Sequence, residues 1–81
     1  MINELYTRNW DFTLYQVDDR MVITVTFFGL VDYFRSFLLL PEERTSDFES
    51  LKDLSERIRN NYELYKDREI LPVVTKEDLA S

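Results

Sequence analysis

The sequence predicts a small α+β domain in which an antiparallel sheet of three strands, with a fourth as an option, precedes one long amphipathic helix. Two segments with alternating apolar residues flank Asp18-Asp19, and a lone glycine, Gly29, interrupts a long apolar stretch. Apolar residues then recur at every third or fourth position over 46–66. The expected order is therefore β-β-β-α, with the helix packed on one face of the sheet.

The first predicted hairpin turns at Asp18-Asp19, which are turn-type residues. A two-residue loop at this point sets the register of the flanking strands, and a slip by one residue would turn every apolar side chain to the other face. The register pairs large apolar residues on one face: Trp10 with Phe27, Phe12 with Val25, and Leu14 with Ile23.

The second predicted turn is a four-residue loop over 29–32, because a sole glycine after a strand is typical of a turn. A third strand then ends at Pro41. Its expected register places Tyr33 opposite Phe28 and Phe34 opposite Phe27, so the sheet occupies residues 10–40. A helix is the alternative for 30–40, since its apolar residues also fit helical spacing: Leu30, Tyr33, Phe34, Phe37 and Leu38.

The stretch 21–40 has the length of a membrane span. It carries Asp32 and Arg35 near its middle, and each charge would cost about 2.5–3.5 kcal/mol in a bilayer. We therefore expect no membrane association. The first ten residues lack the basic start and apolar run of a secretory signal, so a cytoplasmic location is expected.

The helix predicted over 46–66 begins at a capping-box pattern, Ser46-Asp47-Phe48-Glu49. Its apolar stripe consists of Phe48, Leu51, Leu54, Ile58, Tyr62 and Tyr65. The chain is expected to be a single domain, with an N-terminal segment at 1–9 and a C-terminal segment at 67–81. The C-terminal segment includes a possible strand, and Pro72 would confine this strand to an edge of the sheet.

Composition excludes most catalytic chemistry. The 81 residues contain no histidine, no cysteine and one glycine, so neutral-pH general bases, thiolate or imidazole metal sites and phosphate-cradling loops are not expected. The adjacent acids Asp18-Asp19 and Glu42-Glu43 lack the spacing of a calcium loop. The net charge of −6 argues against a nucleic-acid partner. We expect no catalytic residue, metal or cofactor.

In this register the second face of the sheet is apolar and aromatic, with no second helix to cover it. Such a patch is typical of an interaction site. The candidate interface consists of Tyr15, Val22, Phe28, Tyr33, Arg35, Phe37 and Leu39. Three interpretations remain open: a homodimer contact, a surface for another protein, or ordinary core covered by residues 1–9 or by the C-terminal segment. In the last case Ile2, Leu5 and Tyr6 have the spacing of a short covering helix.

These observations favour a small acidic protein-binding module without catalytic activity. Its acidic charge would favour a basic partner, as in inhibitor or immunity proteins that act on basic toxins or nucleases. A homodimeric structural or accessory subunit is the alternative. An enzyme that uses carboxylates and a divalent metal is a third and weaker one.

Overall fold

The computed structural model describes residues 2–8, 11–28, 30, 33–44, 47–71 and 73–75. Over these residues the chain forms five strands and two α-helices, with short 3₁₀ turns at Pro41–Glu43 and Lys66–Arg68. The elements are β1 Ile2–Arg8, β2 Phe12–Val17, β3 Arg20–Phe27, β4 Tyr33–Leu38, α1 Phe48–Asn60, α2 Tyr62–Tyr65 and β5 Glu69–Ile70. The strands form one sheet in chain order, each antiparallel to the next. The predicted α+β class is confirmed. The prediction of three or four strands and one long helix is corrected to five strands and two α-helices.

The β2–β3 hairpin has the predicted register. Phe12 pairs with Val25, Leu14 with Ile23, and Val17 with Arg20 across the two-residue turn. Asp18 adopts a φ of 58°, which aspartate tolerates better than most residues and which a tight hairpin turn requires. The predicted partner of Phe27 in β2, Trp10, lies outside the described residues.

The predicted register of β3 with β4 is wrong by one residue. Phe27 pairs with Tyr33 instead of Phe34, and Ile23 pairs with Phe37 instead of Leu38. Since side chains alternate along a strand, this slip moves every side chain of β4 to the opposite face. The segment 33–38 is a strand and not the alternative helix. Gly29, on which the prediction of a four-residue loop depends, lies outside the described residues.

The observed register decides which aromatic ring of β4 is buried. It places Phe37 in the main core, where the side chain is 1% exposed, and turns the small Ser36 toward the second face opposite Thr24. The predicted register would have placed Ser36 under the helix and Phe37 in the open. Filling the core with an aromatic ring instead of a hydroxyl favours the observed pairing.

The N-terminal segment forms β1 and not a covering helix. Ile2 pairs with Val17 and Arg8 with Phe12, with a register shift between Glu4 and Tyr6. The shift leaves Leu5 as an extra residue, so apolar residues do not alternate along the strand and instead show the spacing that suggested a short helix. This irregularity explains why the sequence does not reveal the strand.

The main core lies between α1 and one face of the sheet. It contains the predicted apolar stripe of the helix region and the inward residues of β2, β3 and β4. The buried members are Phe12, Leu14, Ile23, Val25, Phe27, Phe37, Leu39, Leu51, Leu54 and Ile58. The predicted register would place Leu38 in this core, whereas its side chain packs on the second face.

The predicted single helix over 46–66 is broken at Asn61, where the backbone leaves the helical region with φ −135° and ψ 45°. Both the backbone N–H and the side-chain Nδ2 of Asn61 donate to the carbonyl of Arg57, at 2.9 and 3.0 Å. An asparagine side chain that bonds nearby backbone competes with helix continuation. Ser46 of the predicted capping box lies outside the described residues, and α1 begins after Asp47.

Beyond the helices, β5 adds two residues to the free edge of β4. The predicted edge strand is therefore present but short, and Pro72 lies outside the described residues. An ion pair between Glu43 and Arg68 joins the two 3₁₀ turns, and Glu43 also accepts the N–H of Leu40 at 2.9 Å. Among the described residues, no helix has the length and apolar character to cross a membrane.

Candidate protein interface

The seven residues of the predicted interface do not share one face. Tyr15 and Val22 lie on the second face, as predicted. Phe37 and Leu39 are buried in the main core on the opposite side. This division follows from the one-residue slip in β4, so the seven side chains do not form one continuous surface.

Part of the second face is covered by the chain itself. Tyr15, Val22 and Val74 form a buried cluster, with Ile2, Val17, Leu38 and Ile70 packed around it. Val74 follows β5 in the chain, so it belongs to the C-terminal segment. This arrangement supports, for the part near Tyr15 and Val22, the interpretation in which that segment turns the face into core.

Arg35 lies at the centre of a polar and aromatic cluster that joins β4, α2 and β5. Its guanidinium lies 4.7 Å from the ring centroid of Tyr62, 5.2 Å from that of Tyr33 and 5.9 Å from that of Phe27. It donates to Glu69 Oε2 at 2.8 Å, while the Tyr62 hydroxyl donates to Glu69 Oε1 at 2.5 Å. We refer to Arg35, Tyr62 and Glu69 with these rings as the Arg35 cluster.

The electrostatics of the Arg35 cluster favour a permanent ion pair. The hydrogen bond to Glu69 raises the pKa of Arg35 and outweighs the opposing effect of burial. The hydrogen bond to the same carboxylate also raises the pKa of the Tyr62 phenol. Arg35 is thus charged and already paired with Glu69, and these contacts hold β4 against α2 and β5.

The largest exposed apolar side chains close to the cluster lie at the turn between β3 and β4. Leu30 is fully exposed, and Phe28, Phe34 and Tyr33 are 57%, 50% and 44% exposed. We call Phe28, Leu30, Tyr33 and Phe34 the hairpin tip. Tyr33 stacks on Phe27 on the helix side of the sheet, and Phe34 points to the second face because neighbours along a strand alternate. The hairpin tip is therefore apolar on both of its sides.

A second arginine, Arg59, binds the strand ends next to the hairpin tip. Arg59 of α1 donates to the carbonyl of Thr26 at 2.8 Å, to the carbonyl of Asp11 at 3.1 Å and to Asp11 Oδ1 at 2.8 Å. Its guanidinium also lies 5.2 Å from the ring of Phe28. These bonds hold the ends of β2 and β3 against the helix, so the base of the hairpin tip is rigidly attached to the domain.

Internal ion pairs involve several of the ten basic residues. Arg35, Arg59 and Arg68 each pair with a carboxylate, and each has a side chain no more than one third exposed. The chain carries sixteen acids against ten bases. The net charge of −6 is therefore carried by acidic residues outside these pairs, among which Asp19, Glu49 and Glu56 are exposed.

Sequence reasoning missed two members of the hairpin tip. The predicted register places Phe34 in the core, and the predicted loop over 29–32 gives Leu30 no role in an interface. The available signal was the presence of large apolar residues in a turn, where polar residues are usual. Phe28 and Tyr33 were identified, and the structure brings them together at this turn.

The fold and this surface define a small α+β domain with a five-stranded antiparallel meander and an exposed apolar hairpin. No three acidic side chains in the described part of the chain are placed to hold a metal ion together. Comparison of the chain with protein-family models, with curated proteins and with solved structures finds no match in any of the three.

Proposed function

We propose that this chain is a small, non-catalytic protein-binding module that docks a basic protein through the hairpin tip. The observation that carries the proposal is the exposure of four large apolar side chains of an acidic protein, next to strand ends that Arg59 holds against the helix. Exposed apolar groups are unfavourable in water unless a partner covers them, and concentrated patches of this kind mark interaction sites.

The size of the hairpin tip supports a partner that also contacts its surroundings. With about 200 Å² for each aromatic side chain, the exposed fractions of Phe28, Tyr33 and Phe34 give roughly 300 Å² of surface. A stable interface buries about 800 Å² on each partner. The rest of the contact must come from the surface around the tip, and the net charge of −6 favours a basic partner.

A homodimer is less well supported by the same reasoning. Two copies that met at the hairpin tip would each bring a net charge of −6 to the contact. Like charges at an interface oppose association, whereas opposite charges accelerate it. An inhibitor or immunity-type protein that acts on a basic toxin or nuclease is the form of the function that this charge favours.

The proposal assigns no catalytic residue or cofactor to the chain. Histidine and cysteine, which start most proton-transfer and nucleophilic chemistry at neutral pH, are absent from the sequence. Arg35, which lies beside Tyr33 of the hairpin tip, is held in an internal ion pair with Glu69.

The test compares the wild type with Leu30→Asp, which changes a fully exposed side chain and should leave the fold intact. Leu64→Asp is the matched control, because Leu64 is exposed on α2 outside the hairpin tip. A protein captured by the wild type is identified, purified and titrated against all three forms. We expect a basic partner whose affinity falls at least tenfold with Leu30→Asp and stays unchanged with Leu64→Asp.

The salt dependence of association completes the experiment. For a basic partner, the association rate should fall as ionic strength rises from 50 to 500 mM, because salt screens the steering charges. Equal affinity of wild type and Leu30→Asp for the purified partner would refute the hairpin tip as its site. A wild-type dimer that Leu30→Asp converts to a monomer would replace the basic partner with a second copy.

A further inference from the structure

The outer edge of β4 is only partly paired by β5. β4 extends over Tyr33–Leu38, whereas β5 contributes two residues, which pair with Ser36 and Phe37. Leu71, the residue after β5, is 80% exposed and belongs to no strand. Within the part of the chain that the structure describes, the half of β4 nearest the hairpin tip therefore has no neighbouring strand on this side.

The main-chain groups of Phe34 point to this open edge. The Leu39 N–H donates to the Met21 carbonyl at 2.9 Å, so this pair, which continues the register of β3 with β4, is a hydrogen-bonded one. Hydrogen-bonded and non-hydrogen-bonded pairs alternate along antiparallel strands. The odd-numbered residues of β4 therefore bond β3, and the N–H and C=O of Phe34 face away from it. Those of Ser36 face the same way, where Ile70 of β5 meets them.

The chain's own sequence does not supply both hydrogen bonds at Phe34. Since Ser36 pairs with Ile70, the residue opposite Phe34 in the same register is the one at position 72. That residue is a proline, which has no N–H to donate to the Phe34 carbonyl. Two residues later the Val74 N–H donates to Ser36 Oγ at 2.8 Å, so the chain has left the edge for the second face.

The side chains on either side of this edge are large and exposed. Phe34 is 50% exposed on the second face, and Tyr33 is 44% exposed on the helix side. A partner that covers both rings also removes water from the edge between them. The Phe34 N–H and C=O then need protein partners, because a buried main-chain group without a hydrogen bond is costly.

We propose that the basic partner adds an extended segment to this edge, in line with β5 and hydrogen-bonded to the main chain of Phe34. This proposal rests on the function proposed above and specifies how the partner docks at the hairpin tip. In strand addition the main chain supplies affinity, and alternate side chains supply specificity.

The two rings and the charge define the chemistry of the added segment. Its successive side chains face opposite sides of the sheet, so one lies next to Phe34 and its neighbour lies next to Tyr33. Aromatic and β-branched residues make favourable cross-strand pairs with such rings. The segment therefore carries apolar residues at adjacent positions, and the net charge of −6 favours basic residues around them.

The test uses the full chain and a peptide of this chemistry, acetyl-Lys-Lys-Val-Phe-Val-Lys-Lys-amide, titrated by NMR. Phe34→Pro and Phe34→Ala are the matched variants, because both remove the ring but only proline removes the outward N–H. Proline is tolerated at a sheet edge where that N–H faces solvent. We expect the peptide to bind Phe34→Pro about fivefold more weakly than Phe34→Ala, as the loss of one hydrogen bond implies.

Equal affinities of the two folded variants, or no binding of the peptide to the wild type, would overturn the proposal. The purified partner of the previous section is titrated against the same variants. If Leu30→Asp weakens that partner while Phe34→Pro and Phe34→Ala bind it equally, the hairpin tip stands as the site and strand addition is refuted. Failure of the two proposals is thus distinguishable.

Hydrogen exchange in the wild type provides the measurement if Phe34→Pro does not fold. In the free protein the Phe34 amide should exchange at least 100-fold faster than the Arg35 amide, which bonds β3. Saturation with the peptide should slow the Phe34 amide at least tenfold. Equal protection of the two amides in the free protein would overturn the proposal. Protection of Phe34 that disappears on dilution would place a second copy of the chain at this edge and would also overturn it.

Discussion

The β4 register makes a quantitative prediction about two phenylalanines that lie three residues apart. In the observed pairing Phe37 is 1% exposed in the main core, and Phe34 is half exposed on the other face. In a register slipped by one residue these environments would be exchanged. Truncation of each side chain therefore distinguishes the two pairings.

The expected losses follow from burial. Phe37→Ala removes a fully buried ring that contacts Phe27 and Tyr62, so the free energy of unfolding should fall by about 3–5 kcal/mol. Phe34→Ala removes a ring that is already half hydrated and leaves no closed cavity, so its cost should be about 1–2 kcal/mol. The difference between the variants is the diagnostic quantity.

The assay is urea unfolding followed by far-UV circular dichroism, with the slope of each transition fitted separately. A domain of this size has a total stability of only about 4–12 kcal/mol, so Phe37→Ala could be largely unfolded. The milder pair Phe37→Leu and Phe34→Leu then serves, with a loss of about 1 kcal/mol expected for the first and close to none for the second. Equal losses, or a greater loss at Phe34, would refute the assigned register.

Three further predictions concern the ionic contacts. Arg59→Met should lower the free energy of unfolding by about 2–3 kcal/mol in urea titrations, because the three hydrogen bonds from Arg59 to Asp11 and to the Thr26 carbonyl are lost, while exposed Arg57→Met should cost under about 0.5 kcal/mol. Burial opposes ionisation of Glu43, but hydrogen bonds from Arg68 and from Leu40 N–H outweigh it and lower the pKa below 4.5, so this stabilisation is present at neutral pH and lost as the pH falls through the lowered pKa. The advantage of wild type over Glu43→Gln, about 1–2 kcal/mol at pH 6, should shrink steadily in urea titrations as the pH falls through the lowered pKa. The Glu69 hydrogen bond raises the pKa of Tyr62 above 10.0, so its stabilisation is present below pH 10 and lost as the pH rises through the raised pKa, and Tyr62→Phe should remove one tyrosine ionisation above pH 10 from an absorbance titration.

The β2–β3 hairpin could be predicted because its apolar residues alternate with polar ones and a short turn limits the choice of register. β4 offers no such discrimination, since Phe34, Phe37 and Leu38 place apolar groups on both of its faces. The observed pairing gives Arg35 a carboxylate partner, Glu69, that lies 34 residues further along the chain. A contact so distant in sequence is not visible in a local pattern.

The helix region shows the same limit. Its apolar stripe continues from Phe48 to Tyr65 through the break at Asn61, because α2 packs on the same core as α1. Periodicity therefore identified the correct buried residues and the wrong length. For the interface, residue type alone identified Phe28 and Tyr33, but the exposure of Phe34 depended on the register.

The extra residue in β1 has a consequence for how the protein behaves among copies of itself. β1 is an outer strand of the described sheet, and a regular outer strand presents evenly spaced N–H and C=O groups that another chain can extend. The bulge at Leu5 interrupts this spacing, and the charged Glu4 and Arg8 lie on either side of it. The β1 edge of the sheet is therefore a poor template for regular pairing with a second copy of the chain.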